Sequence, residues 1–164
     1  MFRETVQNFI YQLSEVNEFL QAIGIFVLSL IPFVESPGGA AVGALIGLPI
    51  ILALVISIFG NWLSVMIIIV PFNAWLVRFR NKKSKENGFI QKRASKARER
   101  YEKYGVPGVA LFAPLVASGH IAAFASLAAG ASKRSVIFWH VVSIIIWGVI
   151  GAGLGIYLNN DIMG

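Results

Sequence analysis

The sequence predicts an all-α integral membrane protein arranged as an inverted repeat. Each half is expected to hold an amphipathic helix, a re-entrant helical hairpin and one transmembrane helix. Three observations lead there. Apolar residues make up 57% of the 164 and charged residues 13%, against about 45–50% and about 25% in an ordinary soluble chain. The charges are confined, since residues 19–34, 36–77, 104–132 and 135–160 contain no Asp, Glu, Lys or Arg. Finally, the chain echoes itself at an offset of 82. Pro32-Phe-Val-Glu-Ser-Pro-Gly-Gly-Ala-Ala41 falls on Pro114-Leu-Val-Ala-Ser-Gly-His-Ile-Ala-Ala123 with five of ten positions identical.

The N-terminal segment lacks the basic start and apolar core of a cleavable leader, because Glu4, Glu15 and Glu18 interrupt it. Phe2, Val6, Phe9, Leu13, Val16 and Leu20 recur every three or four residues, and Ile10 and Phe19 widen the stripe. This is one face of a helix lying on the membrane surface or packed on the body. The apolar stretch after it is cut at Glu35 and Pro37, and residues 38–48 are about half a span, since crossing the hydrocarbon takes about 20 residues. Two short helices broken at Glu35-Ser36-Pro37-Gly38-Gly39, with Pro32 just ahead, read as a re-entrant hairpin over about 19–48. Residues 50–70, bounded by Pro49 and Pro71, form the first span.

The second half repeats the order. A hairpin over about 105–131 breaks at Ala117-Ser118-Gly119-His120 with Pro114 before it, and a span over 135–158 is entered from Lys133 and Arg134. The organisation is therefore a first repeat (1–77), a basic segment (78–103) and a second repeat (104–164). With one crossing per half, the second repeat is inverted relative to the first, a design shared by many secondary transporters.

The net charge of +6 hides an asymmetry: residues 78–103 hold eleven Lys/Arg against three Glu. Short loops beside membrane spans collect Lys and Arg on the cytoplasmic side. The block thus orients a multi-pass plasma-membrane protein with both termini outside, and it is not read as a nucleic-acid site. Within it, Ile90, Ala94, Ala97, Tyr101 and Tyr104 share one helical face flanked by Lys92, Arg93, Lys96, Arg100 and Lys103, an interfacial helix suited to anionic lipid. No cysteine is present, so disulfide and thiolate chemistry are excluded.

Glu35 is the strongest chemical signal. An ionisable side chain at membrane depth costs about 2.5 kcal/mol or more if unpaired, which marks it for function, and a carboxyl there suits proton coupling. Its ordinary role would be to cap the helix that follows. His120 lies at the opposite hairpin tip, where a histidine could share a proton with Glu35. His140 reads as a packing histidine satisfied by a polar neighbour such as Asn61 or Ser57. Asn61 and the serines of the spans suit helix-to-helix hydrogen bonds. The glycines at 148, 151, 153 and 155 suit close packing, and Trp75 and Trp139 an interfacial belt. Two histidines and one glutamate without ligand spacing make no metal site. No phosphate loop, catalytic carboxylate pair or His-Asp-Ser set occurs, so neither an enzyme nor a cofactor is expected.

Taken together, Leu28-Ser-Leu-Ile-Pro-Phe-Val-Glu35, Gly47-Leu-Pro49, Gly60-Asn61, Ala97-Arg-Glu-Arg-Tyr-Glu-Lys-Tyr-Gly105 and Ala110-Leu-Phe-Ala-Pro-Leu115 resemble the small multi-drug export protein family. That family is in turn similar to the DedA/SNARE-associated membrane proteins. The resemblance covers about residues 22–158 and implies paired re-entrant hairpins and a transporter or lipid translocase. The family's usual Leu-Arg-Gly-Ala-Ile-Pro after the glutamate is replaced by Ser36-Pro37-Gly38-Gly39-Ala40-Ala41, and its Pro-Leu-Pro-Gly-Thr-Gly by Pro114-Leu115-Val116-Ala117-Ser118-Gly119. Glu35 alone carries over.

The expected function is ion-coupled export of an amphipathic, cationic small molecule. Its site is expected at the midplane between the hairpin tips, built from Glu35, Ser36, Gly38, Gly39, Asn61, Ser118, Gly119 and His120. The alternatives are DedA-like translocation of a lipid carrier such as polyprenyl phosphate, and a structural or regulatory membrane protein without transport. So small a bundle buries its broken helices poorly, which predicts a homodimer.

Overall fold

The computed structural model describes residues 2–80 and 101–163. The expected interfacial helix through Lys92, Arg93, Lys96 and Arg100 lies outside the described residues. Every regular element within them is helical: α1 (Phe2–Ser14), α2 (Glu18–Leu30), α3 (Glu35–Leu45), α4 (Ile50–Arg80), a π-helical turn (Tyr101–Gly105), α5 (Val106–Val116), α6 (Gly119–Ala128) and α7 (Lys133–Met163).

Two helices are long and apolar enough to cross a membrane, Ile50–Trp75 within α4 and Lys133–Ile162 within α7. Only 33% of each apolar window is buried. Ile51, Val55, Phe59 and Ile67 of α4 and Ile145, Val149, Leu154 and Ile156 of α7 instead point outward. Such faces demand an apolar surrounding, and a helix meets that demand because its backbone is satisfied internally.

Three boundaries differ from the sequence reading. The first span does not end at Pro71, which sits inside α4 while the helix continues to Arg80. One proline removes a single backbone bond, whereas ending the helix in apolar surroundings would leave four carbonyls without donors. The N-terminal stripe is not one helix either, because α1 stops at Ser14 and α2 starts at Glu18. The Asn17 side chain accepts the Phe19 N–H at 2.8 Å and so caps α2. Buried Gln21 brings its Nε2 to 3.0, 3.1 and 2.9 Å from the carbonyls of Leu13, Ser14 and Val16, closing the end of α1. Val16 and Leu20 therefore leave the α1 face. Lastly, the first hairpin breaks at residues 31–34, around Pro32, while Glu35 to Gly39 already belong to α3. Pro37 is the third residue of that helix, where no intrahelical acceptor awaits its missing N–H. In the second pair the break falls at Ala117 and Ser118, and Pro114 lies inside α5.

The chain divides into two compact units, Met1–Leu63 with Ile144–Gly164, and Ser64–Ser143. In the first, α2 and α3 pack on one another, and Ile25, Ile46, Leu48 and Ala53 form a core flanked by Leu13, Val42 and Ile56. Backbones come close here because residues are small. A Cβ on Gly151 would lie 2.1 Å from the Pro37 carbonyl oxygen, and one on Gly155 2.3 Å from that of Ala41. The first and last parts of the chain thus meet through glycine on α7 and the start of α3.

In the second unit α5 and α6 pack on one another, with Val106, Ala110, Ala113, Ala123 and Leu127 buried. Phe72 of α4 stacks on Phe124 of α6 at 4.1 Å between ring centroids. Both helix pairs end alike. After α3, Leu48 N–H donates to Gly43 O and Gly47 N–H to Ala44 O, with Gly47 at φ +82°. After α6, Ala131 N–H donates to Ser126 O and Gly130 N–H to Leu127 O, with Gly130 at φ +100°. Each is a Schellman ending, in which the left-handed residue satisfies the last carbonyls.

Candidate functional site

In the first unit the residues of interest gather at the start of α3. Glu35 is 2% exposed and Ser36 fully buried. Among the described residues no other Asp, Glu, Lys or Arg is buried. The turn that delivers Glu35 is strained: Phe33 has φ +73° and Glu35 φ +52°. A left-handed conformation costs an L-residue about 1–3 kcal/mol, persists only where the surroundings enforce it, and clusters at functional sites. Three bonds hold the turn: Val34 N–H and Glu35 N–H donate to Ile31 O at 3.2 and 3.0 Å, and Gly38 N–H donates to Val34 O at 2.9 Å. The effect is to send Phe33 outward, 70% exposed, while Glu35 two residues later is buried.

Around Ser36 three helices share one hydroxyl. Ser36 Oγ donates to Ile144 O of α7 at 2.9 Å, and Asn61 Nδ2 of α4 donates to Ser36 Oγ at 3.3 Å. One turn further along α3, a Cβ on Gly39 would fall 2.0 Å from Ser29 Oγ and 3.1 Å from Ser57 Cβ. Only glycine lets α2 and α4 approach α3 there. Gly38 does not join that surface, since its added Cβ would meet only Val34. Ser29 and Ser57 donate back to their own helices, at Ile25 O (2.8 Å) and Leu54 O (3.1 Å). The result is a polar seam of Ser29, Glu35, Ser36, Ser57 and Asn61 buried in an apolar body.

In the second unit Ser118, Gly119 and His120 are buried at the start of α6. Ser118 Oγ caps the helix by accepting the Ile121 N–H at 3.4 Å. His120 Nε2 lies 2.8 Å from Ser64 Oγ of α4. His140 Nδ1 donates to Val136 O of its own helix at 2.7 Å, which sets that nitrogen as the protonated one. Ser143 Oγ donates to Ala110 O of α5 at 2.7 Å. No group of three His, Cys, Asp or Glu suited to a metal occurs among the described residues.

The structure therefore brings Ser36 and Asn61 into contact, and packs Gly39 on the serine seam beside them. It buries Glu35 next to Ser36, and gathers Ser118, Gly119 and His120 in the other unit. Sequence reasoning missed Ser29 and Phe33. Ser29 had a faint signal as a hydroxyl inside an apolar stretch; the strain at Phe33 had none.

An all-helical body with two helices able to cross a bilayer, apolar outside and polar along a buried seam, defines a membrane protein. Residues 35–150 match the family described as "Putative small multi-drug export protein", and the chain belongs to that family. The match begins at the buried glutamate. No curated protein and no solved structure matches the chain.

Proposed function

We propose that the protein is an ion-coupled secondary exporter in which Glu35 exchanges a proton for an amphipathic, cationic small molecule. The observation that carries this reading is the burial of Glu35, the one acidic residue between positions 19 and 77. A buried carboxyl is stabilised by a proton, by a matching cation or by hydrogen-bond donors, and the first two compete for the same oxygens. One carboxyl therefore serves two mutually exclusive occupants, and competition between them links outward movement of the cation to inward movement of protons. Ser36 and Asn61 hold the start of α3 in register, and His120 with Ser64 supplies a second hydrogen-bonded polar pair. No gradient other than that of an ion is needed. In this reading the basic segment faces the cytoplasm on anionic lipid, the membrane is the plasma membrane, the repeats are inverted with re-entrant hairpins, and two copies associate.

The two Schellman endings support the repeat. So does a recurring bond pattern, in which the second helix of each pair bonds to a long helix, Ser36 to Ile144 and His120 to Ser64. The test is proton-linked uptake of a cationic dye by purified protein in liposomes. Wild type takes up dye when a proton gradient is imposed, and Glu35→Gln abolishes this uptake while the protein remains folded. Transport that is unchanged in Glu35→Gln removes the coupling role. Movement of a labelled polyprenyl phosphate in place of the dye would assign lipid translocation instead.

A further inference from the structure

We infer that the second unit holds one anionic phospholipid, with its phosphate at the basic end of the unit and one acyl chain in the groove between α5 and α6. The site depends neither on Glu35 nor on transport. Four cations from three parts of the chain gather at that end. Ser64 of α4 meets His120 at the start of α6, and Phe72 stacks on Phe124 one turn later, so the two helices run side by side in one direction. Beyond Phe72, α4 carries exposed Arg78 toward the end of α6. The Tyr101 hydroxyl lies 3.3 Å from Ser126 Oγ, which brings Lys103 to the same end. Ala131 N–H donates to Ser126 O at 3.0 Å, and Lys133 and Arg134 follow two and three residues later. Glu102 is the one acid among the unit's described residues. Exposed Trp75, stacked on Phe72 at 5.8 Å, marks this end as a membrane interface. The other end of the unit, around Ser64, Ala117 and His120, has no Asp, Glu, Lys or Arg.

The groove has a volume of about 360 Å³ and is lined by Gly, Ala, Val, Ile and Phe alone. Gly108, Phe112 and Val116 of α5 form one wall, and Ile121 and Ala125 of α6 the other. Tyr104, exposed, precedes Gly108 and Phe112 at the same spacing of four, and Lys103 Nζ lies 5.2 Å from the centre of its ring. The groove thus starts one turn from the cations and runs to the uncharged break at Ala117. This is the order of a phospholipid, phosphate at the interface and chain directed into the hydrocarbon. Basic clusters beside membrane helices recognise such headgroups, and an apolar chain fills a wall that offers a polar ligand no partner. A second copy in the same membrane orientation would instead bring a second set of the same cations to this end, and like charges repel. The phosphate neutralises them.

Native mass spectrometry of the detergent-purified full chain tests the site, titrated with phosphatidylglycerol, with phosphatidylcholine of the same chains and with glycerol phosphate. Wild type is expected to saturate at one phosphatidylglycerol per copy, to hold phosphatidylcholine at least about tenfold more weakly and to retain no glycerol phosphate. Lys103→Gln, Lys133→Gln and Arg134→Gln combined are expected to bind the two lipids alike. Gly108→Leu fills the groove. A Cβ there meets nothing within 4 Å, so the variant keeps its fold, which its melting temperature verifies, and it is expected to weaken both lipids at least about tenfold. Ala125→Leu fills the groove from the facing wall and carries the same expectation. A preference for phosphatidylglycerol that survives the triple variant overturns the site, as does lipid binding that neither leucine variant weakens. Uptake of many phosphatidylglycerol molecules without a first tight one means surface attraction only and also overturns it. Loss of a dimer in Gly108→Leu with lipid binding intact would give the groove to a second copy instead.

Discussion

Ser36 Oγ donates a hydrogen bond to Ile144 O across 108 positions of sequence, and the same oxygen accepts one from Asn61. The hydroxyl thereby fastens α3 to α7 and α4 at the residue next to Glu35. Ser36→Ala should destabilise the protein by about 1–3 kcal/mol, because it takes a buried acceptor from the Asn61 amide as well as a donor from Ile144 O. Asn61→Ala should cost less in the Ser36→Ala background than in wild type. Denaturation of the two single variants and the double variant in detergent checks this. A coupling of about 0.5 kcal/mol or more is expected for contacting residues.

The glycines of α7 differ sharply in what surrounds them. A Cβ on Gly151 would meet backbone atoms of Pro37 at 2.1, 2.6 and 2.7 Å, while one on Gly153 would meet nothing within 4 Å. Backbone cannot step aside as a flexible side chain can. Gly151→Ala is thus expected to cost at least about 1–3 kcal/mol, the usual range for overpacking. Gly153→Ala should be neutral or stabilising by up to about 1 kcal/mol through helix propensity. Thermal unfolding of both variants in one detergent separates the outcomes.

How much of this was legible follows from the range of the forces involved. The two long apolar helices, the two short pairs and the place of Glu35 as a lone charge between apolar stretches could be read directly, because hydrophobic run length and a lone charge are local properties of sequence. The end of the first span could not. Pro71 carries a local breaking signal, and the need to keep the backbone bonded in apolar surroundings overrode it. The hairpin break was displaced for a similar reason: Pro37 and Gly38 look like breakers, yet the first turn of a helix tolerates both. In the candidate site, Asn61 and Ser36 were each visible as polar residues in apolar stretches, but their contact joins positions 25 apart and Ser36 to Ile144 joins positions 108 apart. No local pattern encodes such pairings. The family match places the chain among proteins described as "Putative small multi-drug export protein", a membership that spacing alone did not establish.

The strain at Phe33 makes a prediction separate from transport. Phe33→Gly and Phe33→Ala both remove the ring, but only alanine retains a Cβ that disfavours φ +73°. A left-handed L-residue costs about 1–2 kcal/mol, partly offset by the about 0.5–1 kcal/mol of extra chain entropy that glycine loses on folding. Phe33→Gly should therefore be more stable than Phe33→Ala by about 0.5–1 kcal/mol in equilibrium denaturation. The reverse order would mean that the turn is not held in the left-handed region.

Gly47 and Gly130 close the two helix pairs with the same pair of backbone bonds, at φ +82° and φ +100°. No atom lies within 4 Å of a Cβ placed on Gly47, so space is not what excludes a side chain there. The backbone conformation is. Gly47→Ala should cost about 1–2 kcal/mol from the left-handed penalty alone, and Gly130→Ala a similar amount if the two endings are equivalent. Gly24 is the control. It lies inside α2 with nothing within 4 Å of an added Cβ and no positive φ, so Gly24→Ala should leave stability unchanged or raise it by up to about 1 kcal/mol. Urea or thermal denaturation of the three variants decides the matter. Comparable losses at Gly47 and Gly130 with none at Gly24 would show that the two halves share their helix-ending device in energy as well as in geometry.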